Sequence, residues 1–68
     1  MKELDFLFIQ LYIRKKYNIN METYFGAANQ TVADWRKINK LPKKRLDYFL
    51  NKEGTIDVEE LFFRLYKN

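Results

Sequence analysis

The sequence predicts an all-α fold, a compact bundle of about five short helices containing a helix-turn-helix. Apolar residues recur at three- and four-residue intervals along much of the chain. Glycine, proline and asparagine fall between those runs, where helices are expected to begin or end. Residues 6–13 are rich in the aromatic and branched types that favour strands, but they lack strict alternation. No internal repeat, low-complexity segment or linker is visible, so residues 1–68 read as a single domain.

The first helix is expected over residues 2–17. Leu4, Leu7, Phe8, Leu11 and Tyr12 form one stripe, which Phe6, Ile9 and Ile13 widen. Glu3 and Asp5 in its first turn and Arg14, Lys15 and Lys16 in its last complement the helix dipole. Asn20 is a suitable N-cap for a short second helix, Met21–Phe25, with Glu22 in its first turn, Met21 and Phe25 inward and Gly26 at its end. A third helix is expected over residues 29–37, with Val32 and Trp35 inward and Ala28 at its entrance. After a loop over residues 38–41, Pro42 can open a fourth helix where its missing N–H does no harm. Leu46, Phe49 and Leu50 form the buried stripe of that helix, Lys43, Lys44, Asp47 and Asn51 point outward, and Gly54 ends it. Asp57 with Glu60 reads as a variant capping box, opening a fifth helix marked by Val58, Leu61, Phe62, Leu65 and Tyr66. Phe63 lies off that stripe. Phe63 and Tyr66 are the candidate contacts for a second copy of the chain.

Composition narrows the function. The 68 residues include no Cys and no His. Disulfides and thiolate metal sites are thereby excluded, together with the commonest general base. No metal ligand set, glycine-rich phosphate loop or catalytic constellation is seen. Glu59 and Glu60 are adjacent and point apart on a helix, a poor geometry for paired carboxylates. The reading is a non-enzyme with no cofactor and no small-molecule substrate. The apolar run in the first helix is too short for the roughly 20 residues that span a bilayer, and its basic residues follow it, so a cytosolic protein is expected. A net charge of +4 and a pI near 9.4 are compatible with a polyanionic partner. The positive charge gathers at residues 14–16 and 36–45, while Glu53, Asp57, Glu59 and Glu60 lie toward the C-terminus.

The stretch Gly26-Ala27-Ala28-Asn29-Gln30-Thr31-Val32-Ala33-Asp34-Trp35-Arg36-Lys37 combines a glycine turn, a half-buried helix and a basic flank. The B-DNA major groove admits one α-helix, whose N-terminal side chains reach base edges. Opposite Val32 and Trp35 stand Asn29, Gln30, Ala33, Asp34 and Lys37. Asn and Gln suit adenine, Ala33 suits a thymine methyl, and the Asp34 carboxylate can accept from cytosine N4. Arg36, Lys40, Lys43, Lys44 and Arg45 follow as candidate phosphate contacts, which would add affinity and salt dependence without sequence information.

This stretch resembles the motif of phage Cro and lambda-repressor-like regulators, in which glycine, a small residue, serine and glutamine precede a valine, a tryptophan and basic residues. Gly26, Val32, Trp35, Arg36 and Lys37 match in place, while Ala28 replaces the customary capping serine, a role that would then pass to Asn29. Leu41-Pro42 with Arg45, and the segment from Gly54 to Leu61, are similar to the family's later elements. The resemblance implies a homodimeric, sequence-specific binder of double-stranded DNA, a transcriptional regulator of repressor type acting in the cytoplasm of a bacterial or phage-infected cell. It carries base reading over to Ala28, Asn29, Gln30, Ala33 and Asp34, and more loosely to Lys37. The alternative is a small protein-binding inhibitor or antitoxin on the same helical scaffold.

Overall fold

Asp5 starts the first helix. Its backbone is extended and its side chain accepts from the Phe8 N–H at 2.8 Å, which satisfies a donor that has no partner within the helix. The computed structural model describes residues 4–66. Within it, α1 runs Phe6–Tyr17, α2 Met21–Phe25, α3 Asn29–Ile38, α4 Lys43–Glu53 and α5 Thr55–Tyr66. The all-α bundle expected from the sequence is the fold, and no strand occurs among the described residues. The domain measures 33 × 23 × 20 Å.

Local chemistry sets most boundaries. Asn20 caps α2 by accepting from the Thr23 N–H at 2.8 Å, and Gly26 ends it in the left-handed region at φ 62°. Asn18 and Asn39 end α1 and α3 in the same region, which asparagine tolerates better than most side chains. Asn39 also ties α3 back to α1: its carbonyl accepts from the Phe6 N–H at 3.2 Å and its side-chain oxygen from the Leu7 N–H at 3.2 Å. Two free donors at the start of α1 are satisfied by the end of α3.

The structure departs from the sequence-based expectation at the starts of α1, α3, α4 and α5 and in the core faces of α1 and α5. The first helix begins at Phe6 and not at residue 2, because Asp5 is its N-cap; Lys2 and Glu3 lie outside the described residues. Its core face is Phe6, Phe8, Ile9 and Ile13, while Leu7 and Leu11 are about half exposed. Ala28, which offers no side-chain cap, holds the N-cap position of α3 and leaves Asn29 inside the helix. The fifth helix starts at Thr55, directly after Gly54, so Asp57 lies within its first turn instead of capping it, and Leu65, expected in the core stripe, is 62% exposed. Val58 and Phe62 are its buried positions. Pro42 itself occupies the N-cap position of α4.

The core joins all five helices. Ile9, Ile13, Val32, Phe49 and Val58 are fully buried, with Met21, Tyr24, Phe25, Trp35 and Phe62 nearly so. Aromatic rings bridge the elements edge to face, Phe25 on Trp35 at 5.6 Å and Phe8 on Phe62 at 5.0 Å, the arrangement that ring quadrupoles favour.

Candidate nucleic-acid interface

Two opposite faces of α3 define the candidate interface. Val32 and Trp35 are buried, which fixes how the helix is rotated about its axis. Gln30, Asp34 and Lys37 are exposed on the other side, Ala28 and Asn29 are exposed at the entrance one turn before Val32, and Ala33 is half-buried. All the residues named from sequence as base readers are thus gathered at or along one short helix. Gly26, Ala27 and Ala28 connect it to α2, with the Ala27 N–H donating to the Glu22 carbonyl at 3.1 Å.

Asp34 has a partner on its own helix. Gln30 Nε2 donates to Asp34 Oδ1 at 3.1 Å, one turn apart. That orientation is the one chemistry demands, since the opposite amide rotamer would set two acceptors against each other. The pairing leaves Gln30 with its oxygen and one N–H, an adjacent acceptor and donor. These are the groups that a bidentate contact to adenine N6 and N7 requires.

The basic flank divides in two. Lys37, Lys40 and Lys44 are exposed, and Lys43 pairs with Asp47 at 3.2 Å across one turn of α4. Arg36 and Arg45 are also structural. The Arg36 guanidinium lies 5.4 Å from the centre of the Phe6 ring. Arg45 Nη1 donates to the Phe25 carbonyl at 3.2 Å, and its guanidinium lies 5.7 Å from the Trp35 ring centre. Arg45 thereby links the C-terminal end of α2, the core face of α3 and the start of α4.

Sequence reading missed Glu53. Its carboxylate is buried and accepts from Lys16 Nζ at 2.8 Å, Tyr17 Oη at 2.7 Å and Tyr24 Oη at 2.7 Å. One side chain of α4 thus holds α1 and α2. Burial is the largest influence on this carboxyl and pushes its pKa up. The three hydrogen bonds and the positive charge of Lys16 together outweigh burial and hold it below its ordinary value. Lys16 is raised by its bond to Glu53, against partial burial; Tyr17 is raised chiefly by the same carboxylate, and Tyr24 by burial first and Glu53 second. Lys52 lies over the Tyr24 ring at 4.5 Å and near those of Tyr48 and Tyr17, at 5.7 and 5.8 Å. The available signal was periodicity: Glu53 continues the Leu46, Phe49 and Leu50 stripe by one turn, and an acid there needs donors.

Phe63 and Tyr66, the candidate contacts for a second copy, differ in setting. Phe63 is 49% exposed, whereas the Tyr66 ring packs 4.6 Å from Phe62 and 6.3 Å from Phe8 and keeps 39% exposure. Ile56, 77% exposed, lies about two turns before Phe63 on the same side of α5. No family model, curated protein or solved structure matches the chain. Among the described residues, no helix is long and apolar enough to cross a membrane.

Proposed function

We propose that this chain is a sequence-specific double-stranded DNA-binding regulator of repressor type that inserts α3 into the major groove. One observation carries the reading: the face of α3 opposite buried Val32 and Trp35 presents exposed Gln30, Asp34 and Lys37, with Asn29 exposed at the first turn, shortly after the Gly26 turn. Gln30, steadied by Asp34, reads adenine through its oxygen and remaining N–H. Asp34 acts on DNA by orienting the Gln30 amide, while its own negative charge is offset at the phosphates by the neighbouring lysines. Ala28, Asn29 and Ala33 complete the reading face.

Lys37, Lys40, Lys43 and Lys44 neutralise phosphates on either side, with Arg36 and Arg45 holding the scaffold between them. The outward side of α5, with Ile56 and Phe63, supports pairing with a second copy, so that two reading helices meet two half-sites. The place of action is the cytoplasm of a bacterial or phage-infected cell.

Fluorescence anisotropy against random and genomic duplexes at two salt concentrations tests the proposal. Saturable binding that favours particular duplexes and weakens steeply with salt supports it. Absence of saturable, salt-sensitive binding at low salt refutes it. A protein partner, the alternative function, is favoured by a separate feature of α1 and α5.

A further inference from the structure

Between α1 and α5 lies an open groove of about 690 Å³. Phe8 and Leu11 line it from α1, Leu61 and Leu65 from α5, and Lys15 and Lys16 give it charge. Leu11 and Leu65 are 54% and 62% exposed, although the helical spacing of each belongs to an apolar stripe. Their exposure is the surface that an occupant of the groove would cover.

We propose that this groove docks an acidic amphipathic helix of a protein partner, with apolar residues along one face and a carboxylate at the end that meets Lys15 and Lys16. The inference is independent of the DNA-binding reading, because α1 and α5 carry none of the α3 reading residues.

Backbone chemistry selects a helix. Both walls are helices, whose backbone groups bond within themselves and offer no open edge. An extended peptide would bury its own N–H and C=O groups unpaired, whereas a helix arrives with them already satisfied.

Charge selects an acidic partner. The charged residues lining the groove are both lysines. Lys16 is held in place by Glu53 Oε1 at 2.8 Å and lies 5.8 and 5.5 Å from the Tyr12 and Tyr17 ring centres. An ammonium has three donors, of which Glu53 takes one, and the Lys16 side chain remains 49% exposed. A lysine already positioned loses less side-chain freedom when a carboxylate arrives. The buried Glu53 cluster thus serves the groove by fixing the ammonium at its edge.

A second copy of the chain has a separate place to bind. At about 100° per residue, Ile56 and Phe63 fall on the side of α5 roughly opposite Leu61 and Leu65. Pairing through Ile56 and Phe63 leaves the groove open, whereas Tyr66, the other candidate contact for a second copy, lines the groove itself.

The test is a heteronuclear NMR titration of the full, nitrogen-15-labelled chain with a synthetic helix of about four turns. The probe carries leucines at i, i+3 and i+7 and glutamates at one end; its control has lysines in place of the glutamates. The expected result is saturable shifts gathered at Leu11, Lys15, Leu61 and Leu65, with the acidic probe binding at least about tenfold tighter than the basic one. Lys15→Glu should shrink or reverse that preference. Leu65→Asp should abolish binding while the circular dichroism spectrum and the thermal melt stay unchanged. Equal binding of the two probes, shifts centred elsewhere, or no saturable shift overturns the proposal. So does sedimentation showing a dimer whose formation perturbs these same amides, which would give the groove to a second copy.

Discussion

The Tyr24 hydroxyl donates to Glu53 Oε2 at 2.7 Å, joining α2 to the last residue of α4 inside the core. Tyr17 donates to the same oxygen and Lys16 to the other, and no buried side-chain polar atom among the described residues lacks a partner. A buried carboxylate is costly unless its hydrogen bonds are made; here it ties together three elements of a domain too small to rely on a large core.

Removing that carboxylate should destabilise the fold. Glu53→Ala leaves the Tyr24 hydroxyl buried without its acceptor and is expected to cost about 2–3 kcal/mol. Glu53→Gln keeps one acceptor and should cost less. Urea denaturation followed by circular dichroism measures both; an alanine variant as stable as the parent would remove Glu53 from the account of stability.

The same cluster sets two limits of pH. Glu53 has a lower pKa folded than unfolded, so its contribution is present above the ordinary carboxylate value of about 4.3 and is lost as pH falls through the folded value. Tyr24 has a raised pKa, so its contribution is present below about 10 and is lost as pH rises through the folded value. Stability should therefore be flat near neutrality and fall on both sides. Comparing unfolding free energy against pH for the parent and Glu53→Gln checks this: the difference between them should narrow below about pH 4.

Gly26→Ala should cost about 1 kcal/mol through the backbone alone. The glycine sits at φ 62°, yet an added Cβ would meet nothing within 4 Å. Thermal melts should show a small loss of stability with the fold retained. A neutral result would mean that the turn can relax.

Duplex binding should separate reading from clamping. Gln30→Ala is expected to cost about 1–3 kcal/mol at the preferred duplex and to relax its preference. Asp34→Ala should reduce the same preference by freeing the Gln30 amide, whereas Lys40→Ala and Lys44→Ala should weaken all duplexes alike and lower the salt slope. Anisotropy titrations with preferred and scrambled duplexes distinguish these patterns. If Gln30→Ala and Lys44→Ala leave binding unchanged, α3 is not the docking face.

Local chemistry in the sequence determined the all-α architecture, the bounds of α2, the Gly26 turn and the division of α3 into a buried Val32–Trp35 face and an exposed polar one. Each depends on residues within a turn or two of one another: caps, φ preferences and helical spacing. Tertiary structure decided the rest. The Asp5 cap that starts α1 is local as well, but the packing of α1 against α2 and α3, and of Phe8 against Phe62 of α5, chose Phe6, Phe8, Ile9 and Ile13 for the core while leaving Leu7 and Leu11 half exposed. Sequence periodicity says that a face is apolar, but not which neighbour covers it. Glu53 shows this most plainly, since its donors Lys16, Tyr17 and Tyr24 lie far away in sequence, and only the packed bundle brings them within hydrogen-bonding distance. The α1–α5 groove was hidden for the same reason: a space between two helices is a property of how they diverge, which neither helix encodes alone.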